Sequence, residues 1–258
     1  ANPPSYDDNG RADRERPVAA ASLFAATGDE RWHDVVRDTA NFVDEVPDQL
    51  GCTARLSCDA AWYYLQADPD TQDPAIRENA RAAFASSADA ALANQASTVI
   101  GWGVENEQVD LRWGDGLGGT PKAIALLRAH AVTGEARYLD GARQTAAVSA
   151  GANPLNTSFI TGVGSEPPRH PLVVDSDSGA IPVWPGTPVF GAHATNNGEA
   201  WMRDLADEAG AHPSFADTPS VSSWVALNPL PPVNEFTVYQ SHGPTLFALG
   251  YLAFVEAD

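Results

Sequence analysis

The feature that most restricts the fold of this chain is a helical hairpin pattern that occurs twice. Residues 17–26 and 32–46 each place apolar residues three and four positions apart, and a Thr-Gly-Asp turn separates the two segments. Residues 121–132 and 138–150 repeat the pattern around a Thr-Gly-Glu turn. In both copies a glycine ends the first helix, and an acidic residue opens the second near its positive end. The copies lie 106 residues apart, which is too long for a simple solenoid and compatible with alternate hairpins of a helical toroid.

The rest of the chain divides into further helices and two long loops. The helical period continues in residues 58–67, 75–94, 198–209 and 243–256. Residues 151–197 and 210–233 are instead dense in Gly, Pro, Ser and Thr and have no sustained period. Loops of this length are uncommon in a compact domain unless they build a functional site. We therefore predict an all-α fold in which long irregular loops form the cleft.

The charge of the chain excludes several classes of partner. There are 34 Asp and Glu residues against 15 Lys and Arg residues, which gives a formal net charge of −19. Such a surface repels nucleic acid, and no basic stripe interleaved with aromatic residues offsets that repulsion. Acidic substrates are disfavoured for the same reason. No run of about 18 apolar residues occurs, so we expect no membrane partner either.

Composition also bears on the environment of the protein. The first residues lack the charged-then-apolar pattern of a signal peptide, and we expect a secreted protein whose signal peptide has been removed. An acidic surface with a single lysine, Lys122, stays soluble when salt screens charge, which favours a high-salt environment. An ordinary acidic secreted enzyme is the alternative.

The two cysteines, Cys52 and Cys58, leave two states open. A metal site would need more thiols or nearby histidines, and none lies at ligand spacing. A local disulfide and two free thiols are the remaining candidates. We expect no cofactor, while a structural calcium ion stays open.

Two stretches in or beside the long loops carry ordered motifs. The first contains Asn153-Pro154-Leu155, then the run Ser-Phe-Ile-Thr-Gly at 158–162, then His170-Pro171. The second contains Asn234-Glu235 in front of an apolar helix. Both resemble the C-terminal signature regions of glycoside hydrolase family 9, and the resemblance covers roughly residues 17–256. It implies an (α/α)6 toroid and inverting hydrolysis of a β-linked glucan or a related neutral β-glycan.

Within this resemblance, Glu235 matches the general acid of the family. Its neighbours Pro231, Pro232, Val233 and Phe236 are apolar, and such surroundings disfavour ionisation of a carboxyl group. Glycoside cleavage needs a protonated carboxyl that can protonate the leaving oxygen. The alternative is a glutamate that only complements the positive end of the following helix.

The partner carboxylate of an inverting hydrolase does not match any motif in this chain. Inversion requires a base that holds water opposite the leaving group, with the two carboxyls roughly 6.5 to 9.5 Å apart. The family carries that base in an Asp-rich motif of its N-terminal half. Asp115 is the nearest imitation, but it lies where the family has a structural Trp-Gly loop. We therefore expect residues 1–258 to supply roughly the C-terminal half of the toroid, with an N-terminal half as partner.

Two histidines are predicted to bind the sugar. His170 matches the first histidine of the substrate-binding strip in the family, but Leu172 and Val174 replace the second histidine and the arginine of that strip. Neither replacement can donate a hydrogen bond from its side chain. Ser241, with His242 beside it, replaces an asparagine that follows the acid. The subsites are thus altered, and ordinary cellulose need not be the substrate.

Aromatic side chains complete the predicted site, because sugar rings stack their CH faces on flat side chains. Trp184, in the loop over residues 151–197, and Trp113, beside Gly114, are the favoured candidates, and Trp224 fits the family pattern in front of the acid.

Three classes of function follow from these residues. The first is a glycosidase of the cellulase type that acts on an oligosaccharide or polysaccharide. The second is a catalytically inactive carbohydrate-binding relative, favoured by Leu172, Val174 and the missing base. The third is another toroid enzyme, such as a polysaccharide lyase, although the acidic surface disfavours an acidic sugar.

Overall fold

The computed structural model describes residues 11–52, 56–104, 123–173, 181–192, 200–226 and 231–256. Within these ranges the chain is all-α, as predicted. The α-helices are α1 (Arg11–Thr27), α2 (Glu30–Thr39), α3 (Leu56–Gln66), α4 (Pro74–Ser97), α5 (Ile124–Thr133), α6 (Ala136–Ser149), α7 (Ala200–Glu208), α8 (Pro231–Asn234) and α9 (Gly243–Val255). A 3-10 helix at Ser220–Ser222 and a π-helix at Val238–His242 lie between α7 and α9. None of the described helices is long and apolar enough to cross a membrane.

The helix predicted over residues 32–46 is wrong at its C-terminal end. The helix α2 stops at Thr39, and Ala40 takes an extended conformation with φ −85° and ψ 141°. The chain turns there because Phe42 is drawn into the core, where its ring lies 6.0 Å from that of Tyr64. Asn79 of α4 holds the turn by donating its side-chain amide to the carbonyl of Val43 at 3.0 Å.

Both predicted hairpins have the turn that their sequences indicate. Gly28 and Gly134 have φ values of 66° and 76°, a left-handed conformation that glycine adopts at little cost. Each glycine donates its N–H to the carbonyl four residues earlier at 2.8 Å. Asp29 caps α2 by accepting the N–H of Arg31 at 3.0 Å, whereas Glu135 makes no such cap to α6.

The helices pack in chain order around an alanine-rich core. The helix α1 packs on α2 and α3, α4 packs on α3 and α5, and α9 packs on α5 and α6. Small buried side chains let the helices approach closely, and large rings such as those of Phe24, Tyr64 and Tyr138 fill the remaining space. Removal from solvent raises the pKa of the Tyr64 hydroxyl to about 12.

One face of α9 has no helix packed on it within the described residues. Leu246, Leu249 and Phe254 are exposed to 59%, 40% and 67%, although the opposite face of the helix buries Thr245 and Ala248. A helix that is apolar on all sides usually has protein on all sides.

Cys52 and Cys58 form a disulfide bond, which decides between the two states left open by the sequence. The bond joins the start of α3 to the segment that follows α2, and the Arg128 side chain donates a hydrogen bond to the Cys58 sulfur at 3.1 Å.

Reduction of this disulfide is expected to lower the free energy of unfolding by about 2 kcal/mol, because the bond closes a short loop in the unfolded chain. Urea denaturation with and without dithiothreitol measures the change. In a Cys52→Ser, Cys58→Ser double variant the reductant should have no further effect. Equal midpoints for the oxidised and reduced wild type would contradict the expectation.

Candidate functional site

A cavity of about 440 Å³ lies where the loop that follows α6 meets the segment between α8 and α9. Three residues predicted from the sequence line it together: Glu235, Trp184 and His242. Thr187 is the only other polar residue of the described lining, and the remaining lining residues are apolar. Glu235 is therefore the only carboxylate among the described residues of this cavity.

The backbone around Glu235 is held by two loop segments that are distant in sequence. Leu172 donates its N–H to the carbonyl of Asn234 at 2.8 Å, and Phe190 donates its N–H to the carbonyl of Glu235 at 3.1 Å. The Asn234 side chain is buried and donates its amide to the carbonyl of Val225 at 2.6 Å. These hydrogen bonds hold the backbone of Asn234 and Glu235 in place. The half-buried Glu235 side chain therefore extends from a backbone position that is fixed relative to the cavity.

Trp184 is positioned by two threonines. The hydroxyls of Thr161 and Thr187 both donate to the carbonyl of Trp184, at 2.6 and 3.0 Å. Gly162 has a φ of 71°, and a Cβ at that position would lie 2.9 Å from a side-chain carbon of Pro185. The Thr-Gly pair of the sequence motif thus serves to hold the loop that carries Trp184, whose side chain is 73% exposed.

His242 ends the π-helix directly in front of α9. Its ring lies edge-on to that of Phe236, with centroids 6.1 Å apart. The Nδ1 atom is buried and has no hydrogen-bond partner within the described residues. Single π-helical turns occur frequently at functional sites. His242 lines the cavity, and an imidazole nitrogen that faces the cavity can bind a hydroxyl group.

Two other predicted binding residues, His170 and Trp224, do not line this cavity. His170 is exposed and does not line the cavity. Trp224 is partly buried and packs edge-on against the buried ring of Phe159, with centroids 5.6 Å apart, between two apolar clusters. Trp113 lies outside the described residues, as does Asp115.

Several lining residues were not predicted from the sequence. Val173, Thr187 and Val238 come from segments that have no periodic pattern. Thr161, from the run at 158–162 that was singled out, does not line the cavity but supports Trp184 through the hydrogen bond to its carbonyl. No group of three or more His, Cys, Asp or Glu side chains that could hold a metal ion occurs in the described part of the chain.

Comparison with known proteins identifies the relatives of this chain. The sequence model of glycosyl hydrolase family 9 matches residues 1–181, which is more than half of the chain. The chain belongs to glycosyl hydrolase family 9. The matched residues include the run at 158–162, His170 and Leu172, and they end before Glu235. No curated protein matches the sequence.

Solved structures of family 9 proteins share the fold. The family 9 endoglucanase J30 is 26% identical with a TM-score of 0.76, and the match covers 93% of this chain and 42% of that one. A thermostable endoglucanase from Alicyclobacillus acidocaldarius is 24% identical with a TM-score of 0.74, at 95% and 43% coverage. A family 9 protein of Bacteroides ovatus is 20% identical with a TM-score of 0.71, at 94% and 40% coverage. The chain thus has the fold of part of an (α/α)6 toroid and spans about two fifths of the length of these structures.

Proposed function

We propose that residues 1–258 form the C-terminal part of a catalytic domain that hydrolyses a neutral β-linked glycan with inversion, and that Glu235 is its general acid. The observation that supports this most strongly is the position of Glu235 in a 440 Å³ cavity beside Trp184. The family membership and the similarity to the family 9 endoglucanase J30 also support a glycosidase.

In this mechanism the Glu235 carboxyl protonates the oxygen of the leaving sugar. A second carboxylate, carried by the other part of the toroid, activates a water molecule on the opposite face of the sugar ring. Trp184 offers its exposed ring to the CH face of a sugar. His242 lines the same cavity and can bind a sugar hydroxyl through its imidazole ring.

The exposed face of α9 supports a partner of this kind. Leu246, Leu249 and Phe254 present apolar side chains at the spacing that a neighbouring helix would cover. We infer that the N-terminal half of the same toroid covers them. The net charge of −19 favours an uncharged substrate, and secretion into a salt-rich environment stays a prediction from composition.

An inactive carbohydrate-binding relative is the second candidate. Leu172 lines the cavity at a position where the family strip has a histidine, and its side chain offers no hydrogen bond to a sugar hydroxyl. Binding by such a protein would depend on Trp184 and on backbone groups.

The two candidates are separated by an assay of reducing-sugar release from soluble β-glucan. The protein assayed contains both residues 1–258 and the proposed N-terminal half of the toroid. A hydrolase releases sugars whose first-formed anomer is inverted, as proton NMR of the product shows. A binding relative migrates more slowly in an electrophoresis gel that contains the glucan, and it releases no reducing sugar. Product absorbance from an unsaturated uronate would reveal a lyase and overturn the proposal.

Trp184→Ala is expected to weaken binding of a β-glucan oligosaccharide about fivefold, since loss of one stacking ring costs roughly 1 kcal/mol. Isothermal titration calorimetry measures the affinity. Trp201→Ala is the matched control, because Trp201 is 46% exposed on α7 and does not line the cavity. Equal affinities for the Trp184 variant and the wild type would exclude this ring from the binding site.

A further inference from the structure

A second cavity, of about 310 Å³, lies between α3, α4 and α5, and it shares no lining residue with the Glu235 cavity. Arg77 and Arg81 of α4 line it, one helical turn apart, together with Trp62 and Gln66 of α3 and the last turn of α5. Its volume lies at the lower end of the range for small-molecule sites.

The two arginines differ from most other arginines of the described chain in having no carboxylate partner. Ion pairs to Asp or Glu occupy Arg31, Arg37, Arg128, Arg137, Arg143 and Arg169. No ion pair or hydrogen bond of the Arg77 or Arg81 side chain occurs within the described residues, although acidic residues outnumber basic ones by 34 to 15. A pair of uncompensated cations in so acidic a chain therefore faces one cavity.

Local electrostatics disfavour this pair in the absence of an anion. Like charges four residues apart on a helix repel each other. Arg77 also lies in the N-terminal part of α4, where the helix dipole is positive and cations are unfavourable. Both unfavourable interactions would be relieved by a negative group bound between the two guanidinium groups.

The Trp62 side chain in the lining of this cavity is packed by three neighbouring side chains. The ring of Trp62 lies edge-on to Phe84 and Phe247, with centroids 6.2 and 6.4 Å apart. The guanidinium of Arg128 lies 5.2 Å from the ring centroid of Trp62. Packing on these sides fixes the indole, so the cavity combines two charged donors with a preformed apolar surface.

The geometry points to a binding site for an oxyanion carried on a ring-sized molecule, such as a sugar acid or a sugar phosphate. Guanidinium groups bind carboxylate and phosphate through paired N–H donors. The Trp62 side chain offers a surface against which the ring of the ligand packs, and the Gln66 amide can bind a hydroxyl. This site is separate from the hydrolytic cavity and does not depend on the role of Glu235.

Titration calorimetry at constant ionic strength tests the site with glucuronate, glucose 6-phosphate and glucose. The wild type is expected to bind at least one of the two anions at millimolar concentration, and at least tenfold more tightly than glucose. Arg77→Gln and Arg81→Gln should each weaken anion binding about tenfold, since each removes one charged donor. Binding of only one anion identifies carboxylate or phosphate as the recognised group.

Two control variants keep the result interpretable. Arg203→Gln removes the same charge from α7, outside the cavity, and should bind the anion as the wild type does. Glu235→Gln should also leave anion binding unchanged, which separates this site from the proposed hydrolytic function. Circular dichroism verifies that each variant is folded. The proposal is overturned if glucose binds as tightly as the anions, if neither anion binds, or if folded Arg77 and Arg81 variants retain the wild-type affinity.

Discussion

Replacement of Glu235 by glutamine is expected to lower kcat for β-glucan hydrolysis by about 10² to 10⁴, the range that a general acid contributes. Glutamine keeps the shape of the side chain and can still form hydrogen bonds, but it cannot supply a proton to the leaving oxygen. KM should change little, because Trp184 and the remainder of the cavity are intact. The measurement is reducing-sugar release by the natural polypeptide at saturating substrate.

An activated substrate makes this test specific for proton donation. A dinitrophenyl β-glycoside has a leaving group that departs without protonation, so the Glu235→Gln variant should recover much of its activity on that substrate. Glu208→Gln, an exposed change on α7, serves as the matched control and should act as wild type on both substrates. An equal loss on the activated and ordinary substrates would assign Glu235 another role.

Asp59→Asn is expected to lower the free energy of unfolding by about 3 kcal/mol, because it removes a carboxylate that is paired with the buried Arg128 charge. Arg128 is 8% exposed, and its Nη1 lies 2.7 Å from Oδ1 of Asp59. Its guanidinium also lies over the rings of Trp62 and Phe247. The effect is at the lower end for a buried pair, since the Asp59 side chain is 21% exposed.

A double variant separates the ion pair from simple loss of packing. With Arg128→Met added to Asp59→Asn, the buried positive charge is also removed, and stability should rise above that of Asp59→Asn alone. Asp140→Asn is the surface control. It breaks an exposed pair with Arg143 and should cost less than about 1 kcal/mol. Urea denaturation gives all four values, and a double variant less stable than Asp59→Asn would refute the explanation.

The helices could be predicted because their signals are local. Apolar spacing marked α3, α4, α7 and α9 to within a few residues, and the Thr-Gly-acid turns marked both hairpins. The early end of α2 could not be predicted from spacing, because it depends on the contact of Phe42 with Tyr64 of another helix. The toroid was predicted from the family resemblance. Helical periodicity alone was compatible with it only through the distance between the two hairpins.

The candidate site was less accessible from sequence, since it is built by contacts between distant segments. Motifs identified Glu235 and His242, and loop composition favoured Trp184, and these three line one cavity. Trp224 has the sequence context of a binding residue, and it packs edge-on against Phe159 without lining this cavity. The sequence alone does not distinguish an exposed tryptophan such as Trp184 from a packed one such as Trp224, because exposure of the ring depends on which distant segment packs against it. The roles of all these residues stay predictions.

Hydrogen bonds from Leu172 and Phe190, which lie in two loop segments, hold the main chain at Glu235. Each helix is instead held by hydrogen bonds between its own backbone groups. The position of Glu235 and the integrity of the helices therefore depend on different sets of hydrogen bonds. On gradual heating, we expect catalytic activity to be lost several degrees below the temperature at which ellipticity at 222 nm declines. The two loop segments can detach from Glu235 while the helices are still folded. Matched inactivation and circular dichroism melts would show the offset, and coincident curves would mean that loops and helices unfold as one unit.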